Sequence, residues 1–499
     1  MMDETQPLLA EVHLVDTERC DEGDAAVCQE DIVDFDVAGD PENPMEWPTA
    51  YKWGIVFLLS FMAFTVTFTC ISVVPIANRI VYDLDSGRVS KSSSVLLVTI
   101  WELGEAAGPL LIAPLSEVFG RYPVMNGATI LFIIATTLAA LSQSTPLFIG
   151  ARALTGLSVA SNVLGPAIVG DMFATEQRGA AISVIALAPL VGGSLGPAIG
   201  GAIAEKLGWR CVLWASVALA MICEIVFFTG FRETYKVAVL RQRAARLRKE
   251  TGNANLRTVF DVVVDDRQSS LRKIWKSAVR PAIVFSGSGV LQVMSLHGAV
   301  MFSYYYVFST TLPDIMEQLY GLSAAETGLA FIAFSAGSTV SVICMNIMLD
   351  KIYIKLREQH KGVGAPEYRL PMAIAGAFGL PLTVMLLGWV AQMRLHLTIL
   401  MFTVGLFGAT LTLVYLPLNA YIVDAFGLYA ASGMTAIIVS RCLMSTVLPL
   451  ATDPLVKRFD WGPGVSVLGG LGLVLVPIPI LVFRYGSKWR QLSTYTKDN

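Results

Sequence analysis

Charge is what this sequence lacks. Only 15% of its 499 residues are Asp, Glu, Lys or Arg, against roughly a quarter in a soluble domain. A chain so short of charged side chains cannot cover a water-facing globule. There is no Gly-rich phosphate loop with its Lys-Ser/Thr ending, which argues against an ATP-driven pump. The four histidines (13, 297, 360, 396) and seven cysteines (20, 28, 70, 211, 223, 344, 442) fall at no metal-ligand or paired-disulfide spacing. No metal and no cofactor is expected. GGSLG (192–196) fits the pattern of a serine-hydrolase elbow, but it lies inside an apolar run with no strand before it, so an enzyme is not expected.

What the chain has instead is apolar length: 54% of it is hydrophobic. Twelve runs can each cross a hydrocarbon core of about 30 Å. They are 53–76, 94–116, 123–143, 147–171, 180–203, 210–230, 281–308, 325–350, 371–391, 396–420, 428–450 and 463–484. Each must be helical, because lipid offers no partner to an open backbone amide. The expected fold is an all-α membrane protein of twelve transmembrane helices in two six-helix bundles.

The net charge of −3 conceals a split. Residues 1–50 carry fifteen acidic groups and one Arg, a composition that reads as a disordered tail and not as a signal peptide. The remainder is basic by eleven charges. Residues 231–280 hold thirteen Lys/Arg and divide the spans six and six. Their run RQRAARLRK (241–249) reads as an amphipathic helix on the cytoplasmic leaflet, not as a nucleic-acid patch. The expected parts are a tail (1–50), a first bundle (51–230), a central loop (231–280), a second bundle (281–484) and a C-terminal tail (485–499). With the N-terminus cytoplasmic, 26 basic residues fall on the inner side and eight on the outer, which places both termini in the cytoplasm.

The halves carry corresponding marks. The second span ends in PLSEVFGR and the eighth in MLDKIYIK, giving Glu117 and Asp350; the fourth and tenth end in GDMF and VDAF, giving Asp171 and Asp424. Such repeats belong to transporters with a substrate site between two bundles.

Ionisable groups inside spans are costly, about 2.5–3.5 kcal/mol each on insertion scales, and mark function. They are Glu102, Glu105, Arg152, Glu224, His297 and Arg441. Glu102 and Glu105 are three apart and share a helix face, where each raises the other's proton affinity. They are the expected proton carriers, with Asp171 as a further candidate. Arg152 is read as a partner of these carboxylates, or as a contact for an anionic substrate. Glu224 reads as structural. The expected cavity side chains are Trp101, Arg152, Asn162, Gln292, His297, Tyr304, Tyr305 and Arg441, a mixture suited to an amphiphilic molecule better than to a sugar.

DPENPMEWPTAYKW (40–53), APLSEVFGRYP (113–123), RALTG (152–156) and GGSLGPAIGG (192–201) stand in order along the first half. Together they resemble the fungal drug:proton antiporters of the major facilitator superfamily, the twelve-span multidrug and secondary-metabolite efflux pumps. The resemblance runs from about residue 41 to 490. There are departures: Ala113, Glu117, Val118 and Tyr122 replace the family's usual Gly, Asp and two basic residues. The resemblance implies alternating access, with Glu117, Gly120, Arg121, Arg178, Asp350 and Asp424 as gating or structural residues. It assigns the antiporter signature of helix 5 to Gly192, Gly196, Pro197, Gly200 and Gly201, where small residues let helices approach and Pro197 frees a carbonyl for bending. The partners it implies are a small organic substrate, protons and the bilayer, for a monomer in the plasma membrane. The alternatives are a transporter of an organic acid or polyamine, and a receptor that kept the fold without flux.

Overall fold

The structure is a computed structural model, and it describes residues 32–36, 39–88, 90–254, 256–260, 270–360 and 364–496. Thus the first 31 residues of the expected tail, with Cys20 and Cys28, lie outside the described residues. So does the side chain of Asp350.

The first half comprises α1 (Thr49–Ile71), α2 (Ala77–Leu84), α3 (Lys91–Phe119), α4 (Arg121–Ala140), α5 (Thr145–Leu157), α6 (Ser161–Met172), α7 (Thr175–Leu207) and α8 (Trp209–Gly230). Then come α9 (Lys236–Thr251) and α10 (Ser270–Ser286). The second half comprises α11 (Gly289–Tyr320), α12 (Ala324–Gln359), α13 (Leu370–Gln392), α14 (Leu397–Phe426), α15 (Ala430–Val447), α16 (Thr452–Phe459), α17 (Trp461–Leu475) and α18 (Pro477–Arg490). By length and composition, eleven helical stretches among the described residues can cross a membrane, several of them jointed from two helices; a bent pair makes up to twelve. Large apolar side chains face outward along them, as Ile222, Ile225 and Phe228 do on α8. Such a surface suits lipid.

The bent pair corrects the seventh expected span. In place of one run from 281 to 308, α10 and α11 meet at 95°. The chain turns at Ser286-Gly287-Ser288, where Ser288 caps α11 by accepting from the Leu291 amide at 3.5 Å. Gln292 donates back to the carbonyls of Phe285 and Ser286, at 3.1 and 3.2 Å. α10 is amphipathic, with Trp275 exposed, and α11 carries the span as far as Tyr320.

The basic run is helical, as expected, and α9 buries Leu240 and Ala244. Two of its arginines pair with the chain's own acidic segment: Arg243 with Asp36 and Asp40, and Arg246 with Glu42 at 2.6 Å. β1 (Ile32–Val33) pairs in parallel with β2 (Arg257–Thr258) alongside. So the described part of the acidic tail is a strap tied to the central loop.

Both described ends of the chain lie on one face of the helix assembly, called here the tail face; the 85–91 loop marks the far face. At the far face the bundles are locked together. Lys91 of α3 pairs with Asp314 of α11, and Asn78 donates to Asp314 at 3.0 Å. Glu205 of α7 accepts from the Ala325 amide at 2.8 Å, at the open N-terminus of α12. A β-carbon on Gly201 would stand 2.4 Å from the Ala324 carbonyl, so only glycine permits this approach of α7 to α12.

Candidate functional site

α3 sets out the centre of the site. Glu105 lies four residues from Trp101 and three from Glu102, so each of them meets it across one turn of the helix. Glu102 is buried, and its Oε1 accepts from the Tyr306 hydroxyl of α11 at 2.7 Å. The other oxygen, Oε2, has no hydrogen-bond partner, with the Cys442 thiol beside the carboxylate. Glu105 is more open and takes three donors: Trp101 Nε1 at 3.2 Å, Asn162 Nδ2 at 3.3 Å and Arg441 Nη2 at 3.5 Å. Arg441 of α15 also donates to the Tyr415 hydroxyl at 3.0 Å and lies over the Phe302 ring. Both acids of the first bundle therefore reach a side chain of the second.

Arg152 is placed otherwise than expected. Its guanidinium is buried, stacks on Trp101, and donates to the carbonyls of Thr69 and Cys70 at 2.9 and 2.8 Å. It clamps α5 to the end of α1; the carboxylate's cation is Arg441 instead. His297 and Tyr304 are also fully buried, the latter donating to the Leu468 carbonyl at 2.7 Å. Gln292 caps the α10–α11 turn. Of the expected cavity set, Asn162 is exposed and Arg441 partly open beside Glu105, and Tyr305 is partly open against Phe302 and Phe334.

At the tail face, Arg121 donates to Asp171 at 3.2 Å and packs over Tyr235. Asp171 also accepts from Thr234 at 3.3 Å, so it is tied up well away from Glu105. Glu117 is exposed, with Arg121 and Arg280 as its cations. Gly120 has φ 99°, and a β-carbon there would meet Glu233 Oε2 at 2.3 Å. Arg178 binds the carbonyls of Phe173 and Gly170, and Asp424 pairs with Arg369. In helix α7, Gly192, Gly196 and Gly200 face α1, whereas Gly201 and the Pro197 carbonyl face α12.

Sequence reasoning missed several participants. Glu233 accepts the amides of Arg121, Tyr122, Thr234 and Tyr235, which caps α4. Its signal was available: a lone acid in RETYK, directly after a span. Asp314 was missed because the seventh span was ended at 308. Tyr306 directly follows Tyr304 and Tyr305, and nothing in the sequence singles it out.

Two jointed bundles around a central set of buried charges define a multi-pass secondary transporter of small organic molecules. Residues 54–449 match the Major Facilitator Superfamily, and this chain belongs to it. The chain is 34% identical over 461 residues to "Efflux pump radE" of Floropilus chiversii, covering 92% of this chain and 85% of that protein. It is 32% identical over 464 residues to "MFS transporter cpaT" of Aspergillus oryzae, at 93% and 92% coverage. Among solved structures, a D-xylose-proton symporter superposes with a TM-score of 0.65 at 17% identity, covering 91% of this chain and all of the other. That likeness concerns the fold.

Proposed function

We propose that this transporter is a proton-coupled antiporter that exports amphiphilic small organic molecules across the plasma membrane. It works as a monomer with both termini in the cytoplasm. The observation that carries the reading is that Glu102 and Glu105, on one face of α3, each bond to a side chain of the opposite bundle. Two unit charges about 4 Å apart attract by about 4 kcal/mol at an effective dielectric of 20. Desolvation offsets part of that.

A proton arriving at Glu105 cancels its attraction for Arg441 and frees the bundles to part. Loss of the proton restores the pair. Substrate competes for the same space, where Asn162, Tyr305 and Arg441 offer an apolar wall and polar handles. The far-face lock, with Lys91, Asp314 and Gly201, closes the exit while this chamber loads from the tail face. Asp171, Glu117, Arg121, Arg178 and Asp424 then hold the tail-face ends of the helices in register. An efflux role accords with the naming of one relative as an efflux pump.

The test is flux of a labelled amphiphile in inside-out vesicles, with and without a pH gradient. Uptake into the vesicles driven by inward acidification is expected. Sugar or amino-acid flux in its place, or no gradient dependence, sinks the reading. Cysteines placed singly in the 85–91 loop are expected to react with an impermeant thiol reagent on whole cells, and one at 245 is not; the reverse overturns the orientation.

A further inference from the structure

The fourth span is broken. α5 ends at Leu157 and α6 begins at Ser161, with Ser158, Val159 and Ala160 between them. A break inside a membrane frees backbone groups that need partners. Some are local: Ser158 Oγ donates to the Thr155 carbonyl at 2.7 Å, and the Val159 amide to Gly156 at 3.2 Å. Behind the break lies a cavity of about 20 Å³, walled by Thr65 of α1, Thr129 of α4, Ser158, Ser161 and Cys223 of α8. That is room for a single water.

Two buried groups are unsatisfied, Ser161 on the cavity wall and Glu224 next in the chain to Cys223 of that wall. Ser161 is 4% exposed and lines the cavity, yet its Oγ has no hydrogen-bond partner. Glu224 follows Cys223 and is 9% exposed, and neither of its carboxyl oxygens has a partner. Thr129 links the two, lining the cavity and standing beside the Glu224 carboxyl. A hydroxyl or carboxyl buried without a bond costs a few kcal/mol, and an ionised carboxylate costs far more. The elements packed here present Thr65, Thr129, Ser161 and the Cys223 thiol. Among the described residues no cation acts on Glu224. Neutralisation by a bound proton is the remaining way to keep the group in place.

We propose that the break in the fourth span houses a water and proton site separate from the Glu102–Glu105 pair. One water in the cavity bonds Ser161 and Thr65. Glu224, carried as the neutral acid, bonds Thr129 next to it. The site connects to the coupling pair through one residue, because Asn162 follows Ser161 and donates to Glu105. Its occupancy thus sets the shape of the break on which Asn162 is mounted.

Infrared difference spectra of the full-length protein in lipid nanodiscs test it. At about pH 8, where an ordinary carboxyl is fully ionised, the wild type is expected to show a protonated-carboxyl C=O stretch. Glu224→Gln is expected to abolish that band, and Glu105→Gln to keep it. Ser161→Val fills the cavity and is expected to shift the band by expelling the water. A spectrum that Glu224→Gln leaves unchanged overturns the proposal, as does a band that Ser161→Val does not move. Should the valine variant fail to fold, a wild-type density map that resolves waters decides: an empty cavity overturns it. None of these readouts depends on flux, so their failure leaves the antiport reading standing.

Discussion

The Tyr306 hydroxyl donates to Glu102 Oε1 at 2.7 Å, and the two residues belong to opposite bundles. Glu102 is buried and its other oxygen is unpaired, so this bond, together with the charge of Arg441, is what stabilises its ionised form. Tyr306→Phe keeps the ring packing against Tyr305 and Phe302 while deleting the donor. A lost bond to a charged group costs about 1.5–3 kcal/mol. The pH profile of transport is expected to move alkaline by about one unit or more, with expression retained. An unmoved profile would show that the ionised form of Glu102 does not depend on this hydroxyl.

Glu105→Gln keeps the shape and one acceptor oxygen, enough for either Trp101 or Asn162, but cannot titrate. Flux driven by a pH gradient is expected to fall at least tenfold, while substrate exchange without a gradient survives. Persistence of gradient-driven flux at the wild-type rate would move the proton role to Glu102.

The far-face lock predicts an accessibility change. Asp314 has a side chain 6% exposed and holds both Lys91 and Asn78. Asp314→Asn removes the charge pair and is expected to raise thiol labelling of a cysteine replacing Thr310, which is buried beside Lys91 and Asn78, about tenfold, a shift of about 1.4 kcal/mol toward the open state. Exchanging the two charges, Lys91→Asp with Asp314→Lys, is expected to restore the slow rate.

The helix α7 glycines should separate by the helix they face. Gly201→Leu drives a side chain into the Ala324 carbonyl of the opposite bundle, whereas Gly196 has its nearest neighbours at 3.4 Å on α1, in its own bundle. Transport is expected to fall at least tenfold in Gly201→Leu at near-normal protein levels. Gly196→Ala is expected to lose little of either. Equal loss of protein and transport at 201 would mark static packing instead.

The strap has its own pH dependence. Burial pushes the Asp40 carboxyl up, but the Glu42 amide and Arg243 outweigh it and hold the group below its ordinary range. A carboxyl depressed by folding contributes stability above its unfolded pKa and loses it as pH falls through the folded one. Hydrogen exchange over residues 32–36 and 39–47 is therefore expected to stay slow at neutral pH and to speed up in acid below the ordinary carboxylate range. Arg243→Ala is expected to produce the fast exchange already at neutral pH.

Much of this protein was legible in its residues because lipid is an exacting solvent. A run of some twenty apolar residues has only one way to satisfy its backbone there, so the helices follow from composition and length, while the family marks were readable only as a resemblance. Glu102 and Glu105 were recognisable for the same reason: charge inside an apolar run is too costly to be incidental. What spacing could not supply was partner choice, because partners come from other helices at large sequence distance. Arg152 and Arg441 look alike in the sequence, yet only tertiary packing turns the first onto the carbonyls of Thr69 and Cys70 and the second onto Glu105. Likewise the arginines of α9 advertise a membrane surface, and the folded chain gives Arg243 and Arg246 to Asp36, Asp40 and Glu42. A charged group takes the nearest opposite charge or carbonyl that the fold delivers, and the fold sets that proximity.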